Sequence, residues 1–232
     1  MYRVLMVADA HSPDDALDIR IVIESLRKVA GQGVDAVIDT GDAGAELFLH
    51  ELRGAFAPAP VYSVRGNHDD KDRPARLDLN LAGWRTAVIH GDTNNLRERV
   101  SRWINKRLSQ WLGGRFRFFG PYYWDLRRRC READLVPYGH THEAAVVQSG
   151  RTIFINAGTA SLSGGGSRLG RPTVGLLELN SYLLHAQIVA LPVGRSALEP
   201  LEVIQEAFCL HPGLPRPALR TRLASHPVLT GA

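Results

Sequence analysis

Five short polar segments, each directly after an apolar run, most constrain what this chain can fold into. Apolar runs of about four to eight residues that end at polar loops are typical of buried strands. Helix-forming stretches separate the first of them, and a repeated order of strand, loop, helix and strand predicts parallel strands whose carboxyl ends share one rim. The segments are Asp9-Ala10-His11, Gly41-Asp42, Gly66-Asn67-His68-Asp69, His90-Gly91-Asp92 and Gly139-His140-Thr141-His142.

Strands are predicted before each of these loops, and the pattern becomes antiparallel after residue 135. Turn residues at 149–150 and 180–181 separate runs rich in β-branched and apolar residues, as in hairpins. The predicted strands cover residues 3–8, 35–39, 61–64, 85–89, 135–138, 144–147, 152–155, 174–179 and 182–191.

The first helix is predicted to begin at Ser12. A serine can cap a helix, and Pro13 suits the first helical position. An apolar stripe is expected on the face that packs against the sheet. The stripe consists of Leu17, Ile21, Leu26 and Val29.

Length and composition restrict the class of protein. A chain of 232 residues is ample for one globular domain. It has no apolar run long enough for a bilayer, and it starts in a motif-bearing strand without a cleavable leader, so we expect a cytoplasmic protein. Its two cysteines, Cys130 and Cys209, give neither a disulfide framework nor a thiolate zinc site. Nitrogen and oxygen atoms should therefore hold any metal.

Each polar segment alone has an ordinary explanation. An Asp-x-His is commonly a cap, Gly-Asp a turn, and His-x-His two rings on one face of a strand. Together they bring to one rim eight side chains of the types that bind divalent metals. These are Asp9, His11, Asp42, Asn67, His68, His90, His140 and His142.

The order of these motifs resembles the calcineurin-like metallophosphoesterase superfamily. The resemblance covers residues 3 to about 191, apart from an insert, and departs from the family at Ser12, where many members have Gly, and at Ala157, where Pro is common. It implies an α/β protein, a four-layer α/β/β/α sandwich of two mixed sheets with a helical insert. It also implies metal-dependent hydrolysis of a phosphate ester, with a bridging water between two metal ions as the nucleophile.

The resemblance also implies residue roles. Asp9, His11 and His142 resemble ligands of a first metal, Asp42 a carboxylate that bridges both, and Asn67, His90 and His140 ligands of a second. His68 resembles the histidine that contacts the phosphate and acts as the general acid. Asp69 either orients His68 or caps the next turn. We expect two divalent ions per chain and favour Mn, with Fe, Zn or Ni as alternatives.

Basic residues concentrate in one segment, residues 93–134. Between Thr93 and Leu135 there are eleven Lys and Arg residues against four acids, which indicates a local anionic partner. We expect a helical insert that caps the site, and we take Arg97, Trp103 and Arg107 as candidate substrate-binding residues. The alternatives are an ordinary helix packed on the core, a membrane-surface contact through residues 96–124, or nucleic acid.

A helical insert at this point is similar to that of the UDP-2,3-diacylglucosamine hydrolase branch, although His68 stands where that branch usually carries Arg. A phosphodiester or pyrophosphate, on a phosphorylated small molecule or a lipid-linked substrate, is therefore the expected substrate. The alternative functions are a membrane-surface lipid-nucleotide pyrophosphatase, peripheral at the membrane, and a non-catalytic scaffold. We place the domain at residues 1–191, and residues 192–232, which are Pro-rich, form a C-terminal strap or tail. The sequence carries no feature that sets an oligomeric state.

Overall fold

The computed structural model describes residues 1–12, 15–93, 100, 103–104, 107, 120–163, 169–193, 201–211, 213 and 219–223. The helices are α1 (Ala16–Ala30), α2 (Glu46–Phe56) and α3 (Gly120–Arg129), and residues 100, 103, 104 and 107 are also helical. The strands are β1 (Tyr2–Val7), β2 (Ala36–Asp39), β3 (Val61–Ser63), β4 (Arg76–Leu81), β5 (Trp84–Ile89), β6 (Leu135–Tyr138), β7 (Ala145–Ser149), β8 (Thr152–Asn156), β9 (Thr173–Leu179), β10 (Leu183–Ala190), β11 (Val203–Leu210) and β12 (Leu219–Leu223).

The strands form two mixed sheets. A seven-stranded sheet has the order β12-β11-β10-β9-β1-β2-β3, in which β1, β2 and β3 are parallel and the other pairs are antiparallel. A five-stranded sheet has the order β4-β5-β6-β8-β7, in which β5, β6 and β8 are parallel. The parallel strands of both sheets carry the predicted polar loops at their carboxyl ends.

Three apolar clusters divide the molecule into four layers. The first lies between the sheets and includes Met6 and Ile38 from one sheet and Val88 from the other. In the second, α1 and α2 cover the outer face of the seven-stranded sheet. In the third, α3 packs on the outer face of the five-stranded sheet. The predicted α/β/β/α sandwich of two mixed sheets is thereby confirmed.

Helix α1 begins later than predicted and buries two of the four residues of the predicted stripe. Its N-cap is Asp15, whose carboxylate accepts the backbone N–H groups of Leu17 and Asp18, whereas Ser12 forms an isolated β-bridge. Of the predicted stripe, Leu26 and Val29 are buried, Ile21 is partly buried and Leu17 is exposed. The buried face also includes residues outside the predicted stripe. This face consists of Ile19, Val22, Ile23, Ser25, Leu26, Val29 and Ala30. The predicted cap at Ser12 was wrong because an aspartate three residues later satisfies the first free N–H groups.

Three strands were not predicted. Strand β4 pairs with β5, and its side chains alternate between exposed and partly buried, which is typical of an edge strand. Strands β11 and β12 extend the seven-stranded sheet beyond β10. Residues 203–210 and 219–223 therefore add to the sheet, while a domain boundary at residue 191 stays a prediction.

None of the helices in the described ranges combines the length and hydrophobicity that a membrane-spanning segment needs.

A buried carboxylate joins the starting ends of three strands in the five-stranded sheet. Asp134 accepts hydrogen bonds from Arg85 at 2.9 Å and from Arg151 at 2.7 Å. Burial acts to raise the pKa of Asp134, but these hydrogen bonds outweigh it and hold the pKa at about 2. Since the ordinary pKa of an aspartate is 3.8, the ionised form of Asp134 is stabilised in the folded state relative to the unfolded state.

We expect Asp134→Asn to lower the free energy of unfolding by about 1–3 kcal/mol at neutral pH. The folded pKa lies below the unfolded one, so the stabilisation is complete above pH 3.8 and disappears as the pH falls towards about 2. Urea unfolding of both proteins across this range measures the difference. Asp78→Asn, in a more exposed pair with Arg76, is the control and should cost less than about 1 kcal/mol.

Candidate metal centre

The loops after β1, β2, β3, β5 and β6 bring all seven predicted metal ligands to one rim. Three of them, Asp9, Asp42 and His90, are buried. His11, His140 and His142 are half-buried, and Asn67 is exposed. The floor of the site is thus made of carboxylates and one imidazole, and its mouth is made of the remaining side chains.

The first group of converging atoms comes from Asp9, His11 and His142, whose ligand atoms all lie within 4.8 Å of one another. The Nε2 atoms of His11 and His142 face each other at 3.2 Å. Nε2 of His142 is 3.6 Å from Oδ1 of Asp9, and Nε2 of His11 is 3.9 Å from Oδ2 of Asp42. Nitrogen lone pairs and carboxylate oxygens aimed at one point suit a divalent cation.

The second group surrounds the other side of Asp42. Nε2 of His90 lies 3.3 Å from Oδ2 of Asp42 and 3.0 Å from Oδ1 of Asn67. Nδ1 of His140 also lies 3.0 Å from this Asn67 oxygen. Asp9, Asp42 and His90 have ligand atoms within 4.8 Å of one another, so the two groups are contiguous and share the carboxylates.

A buried oxygen of Asp9 tests whether these residues suit a metal ion. Oδ2 of Asp9 is inaccessible to solvent and has no hydrogen-bond partner in the part of the chain that the structure describes. A buried carboxylate oxygen without a partner is costly unless a cation binds it. The donors around it are oxygens and imidazole nitrogens, so the residues present fit a hard or borderline divalent metal.

The buried ionisable groups at the floor of the site have shifted pKa values. Burial raises the pKa of Asp9 to about 8, against the charge of His90 and the backbone N–H of His140. Burial acts to lower the pKa of His90, but the Asp42 hydrogen bond and the charges of Asp9 and Asp42 outweigh it and raise the value to about 9. The pKa of Asp42 falls to about 2 because contacts with His90 and His68 outweigh burial. The carboxylates therefore favour positive charge at their centre.

Most ligand positions have an unusual backbone. Among the described residues, six non-glycine residues have positive φ, and Ala82 is the one that is not a predicted ligand. The left-handed region is disfavoured for residues with a side chain, although Asp and His tolerate it better than most. The φ values are 48° for Asp9, 42° for His11, 53° for Asp42, 67° for His140 and 55° for His142. Strain of this kind concentrates at functional sites.

Neighbouring loops and their polar groups hold these conformations. The backbone N–H of Asp9 donates to the carbonyl of Gly41, and that of His11 donates to the carbonyl of Asp42. Nδ1 of His90 donates to the carbonyl of Thr40 at 2.9 Å, which directs Nε2 towards the ligands.

Further supporting residues were not predicted from the sequence. Thr159 Oγ1 donates to the Asp9 carbonyl at 2.6 Å, and the Asn156 amide donates to the Gly139 carbonyl at 2.8 Å. The signal for them in the sequence was the polar loop that follows the strand at 152–155.

His68 lies at the mouth of the site. Its side chain is exposed, its ring centroid is 5.5 Å from that of His11, and its backbone N–H donates to Oδ1 of Asp42. Asp69 binds backbone rather than the His68 ring: its Oδ2 accepts the N–H groups of Asp42 and Gly66 at 2.8 Å each. These contacts are to its own turn and to the turn at 41–42, so the two predicted roles of Asp69, orienting His68 or capping the next turn, stay predictions.

The insert is described in part. Trp103 and Arg107 are exposed, with the guanidinium carbon 5.8 Å from the indole centroid, and Arg97 lies outside the described residues. Helix α3 contacts the loop after β5: Tyr122 Oη donates to the Gly91 carbonyl, and Arg129 donates to the Asp92 carbonyl. The insert is therefore attached to the loop that carries His90.

Strain at His11 is testable without metal. We expect His11→Gly to have a higher free energy of unfolding than His11→Ala, by about 1 kcal/mol or more, because only glycine adopts positive φ freely. Chemical denaturation of both variants in a chelator measures this difference.

The matched control is His50, an exposed residue inside α2. There we expect the opposite order, with Ala more stable than Gly by about 1 kcal/mol. The same order at both positions would contradict a strained backbone at His11.

Comparisons with known proteins agree with this architecture. Residues 2–112 match the model of the calcineurin-like phosphoesterase superfamily domain. A search of curated proteins finds no match. Among solved structures, a single mutant of Vps29 from Entamoeba histolytica has a TM-score of 0.61 at 19% identity, over 87% of this chain and 98% of that one.

Two further solved structures have the same fold. Wild-type Vps29 from Entamoeba histolytica, in complex with Zn²⁺, has a TM-score of 0.59 at 19% identity, over 87% of this chain and 98% of that chain. A conserved uncharacterized protein of Streptococcus pneumoniae TIGR4, described as a predicted phosphoesterase, has a TM-score of 0.57 at 21% identity, over 95% of this chain and 98% of that chain. At these identities the likeness shows the fold.

Proposed function

We propose that this chain, whose residues 2–112 match the calcineurin-like phosphoesterase superfamily domain, is a member of that superfamily and hydrolyses a phosphodiester or a pyrophosphate at a centre of two divalent metal ions. The observation that carries the proposal is the convergence of seven side chains into two contiguous groups around Asp42 and the unpartnered oxygen of Asp9. The donors are nitrogen and oxygen without thiolate, a set that suits Mn, Fe, Zn or Ni, and we propose Mn among these.

The proposed metal ligands fall into two groups according to their position. Asp9, His11 and His142 would hold one ion, Asn67, His90 and His140 the other, and Asp42 both. Ions bound there would polarise the phosphoryl oxygens and supply a hydroxide nucleophile at neutral pH.

His68 is suited to proton transfer. Its exposed ring beside His11 stands where a substrate enters, and it contributes no atom to either metal-ligand group. A positioned histidine can donate a proton to the leaving oxygen, and such a contribution is typically about 10²–10⁴-fold. The backbone N–H of His68 donates to Asp42 at 2.8 Å, which holds the His68 backbone beside the metal ligands.

Hydrolysis of model substrates tests the proposal. We expect Mn-loaded protein to hydrolyse bis-p-nitrophenyl phosphate faster than p-nitrophenyl phosphate. Asp42→Asn should lower both activity and bound metal, because both ligand groups use this carboxylate. If the wild type binds two ions but hydrolyses neither substrate, and Asp42→Asn changes nothing, the non-catalytic scaffold is the better description.

The His68→Ala variant separates proton transfer from metal binding. We expect kcat to fall by about 10²–10⁴-fold while the metal content stays at the wild-type value. His50→Ala, an exposed histidine of α2, is the control and should leave kcat unchanged. A loss of metal in His68→Ala would contradict this assignment.

We further propose that the insert at residues 93–134 selects the substrate. Its support is the attachment of α3 to the loop after β5 and the exposure of Trp103, Arg107 and Trp124. Exposed Trp beside Arg suits a lipid-linked phosphate or a membrane surface as well as a small phosphorylated molecule.

Liposome flotation distinguishes these partners. If the insert contacts a membrane surface, wild-type protein floats with anionic vesicles, and replacing Trp103 and Trp124 by Ser lowers the floating fraction. Tyr182→Ser, which removes an exposed aromatic side chain elsewhere, should have no effect. Equal flotation of wild type and the tryptophan variant would contradict membrane contact and leave a small phosphorylated molecule as the substrate.

A further inference from the structure

Behind the ligand groups lies a cluster of three ionisable side chains that touches no proposed ligand side chain in the contacts described. The carboxylates of Asp39 and Asp69 are fully buried, and Arg73 is 13% exposed. Arg73 Nη2 lies 3.0 Å from Asp69 Oδ1, and Nη1 lies 3.9 Å from Asp39 Oδ2. One guanidinium therefore lies between two buried negative charges.

The two carboxylates bind the turns that carry ligands. Asp69 Oδ2 accepts the backbone N–H groups of Asp42 and Gly66, which belong to different turns. Asp39 accepts the Ser63 hydroxyl at 2.6 Å and the Gly41 N–H at 3.3 Å. The cluster thus links the turn at 41–42 to the turn at 66–69 without contributing a metal ligand.

The guanidinium of Arg73 compensates the negative charges of the two buried carboxylates. Burial raises the pKa of Asp39 to about 6, and the Asp69 charge adds to the rise, while the Ser63 hydroxyl and Arg73 oppose it. Removing one partner of a buried ionic group leaves the others uncompensated, which is strongly unfavourable. Without the guanidinium, the buried carboxylates of Asp39 and Asp69 would lose the positive charge that lies between them, and their repulsion would disturb the backbone contacts that they make.

We infer that Arg73 is a positioning residue that fixes Asn67 and His68 relative to Asp42 by joining the carboxylates of Asp39 and Asp69. The inference rests on the proposed function, because it assigns to Arg73 the placement of the second metal-ligand group. The first group draws Asp9 and His11 from the loop after β1 and His142 from the loop after β6. Loss of Arg73 should therefore weaken the two groups unequally.

Metal titration of the chelator-treated protein with Mn²⁺, followed by elemental analysis and electron paramagnetic resonance, tests this. We expect Arg73→Met to bind the first ion as the wild type does and the second ion about 10–100-fold more weakly, the usual effect of removing an outer-shell partner. The coupled two-manganese signal should weaken accordingly. Arg65→Met is the matched control, since Arg65 is in the same loop and its guanidinium donates to the Lys71 carbonyl.

A rescue variant separates positioning from general loss of stability. In Arg73→Met with Asp39→Asn, one buried charge disappears together with the guanidinium, so the second ion should regain most of its wild-type affinity. If Arg73→Met does not fold, the double variant and Arg73→Lys, which keeps the charge without the planar fork, carry the same comparison.

Two outcomes would overturn the inference. One is wild-type affinity for both ions in Arg73→Met; the other is an equal loss of both ions that Asp39→Asn does not reverse. Failure of the proposed function has a different result, because the wild type itself would then either bind fewer than two ions or bind two ions and hydrolyse neither model substrate.

Discussion

The close approach of two turns fixes the candidate centre. A Cβ atom on Gly66 would overlap the carboxylate of Asp42, and one on Gly41 would lie 2.6 Å from the Gly66 nitrogen. Backbone at such short range is possible only where neither residue has a side chain. The contact allows the His68 N–H to reach Asp42 and the Asp69 carboxylate to cap both turns. The position of Asp42 relative to the turn at 66–69 depends on this contact.

Several features of the candidate centre lower the stability of the folded chain. Five of its seven proposed ligands have left-handed backbone, and an oxygen of Asp9 is buried without a hydrogen-bond partner among the described residues. The carboxylates of Asp39 and Asp69 are also buried beside one guanidinium. Such features persist only when the surrounding structure determines them. Here the parallel strands β1 and β2 and the apolar layers on both of their faces provide that support. Positive charge from bound ions would relieve part of the same cost.

The sequence was most informative where a property is local. Apolar runs and the polar residues that follow them predicted the parallel strands and the rim that they share, because burial on both faces leaves a continuous apolar run. Strand β4 was missed because half of its side chains face solvent and include Asp78 and Asn80, which disfavour strands. Strand β11 has an apolar run, but nearby prolines pointed to an irregular tail. The pairing of β11 with β10 is visible only in the structure.

Side-chain interactions between distant parts of the chain could not be predicted from the sequence, for a similar reason. Asp69 and Arg73 are four residues apart in one loop, but nothing in the spacing indicates that Asp39, at the end of β2, meets them. The pairing of β2 with β3 brings these two segments together. The same holds for Tyr122 and Gly91, which join α3 to the loop after β5. This contact places the insert and His90 on one connected segment of structure. If the insert binds the substrate as proposed, a change in its position would act through this contact on the loop that carries His90, a proposed ligand of the second group.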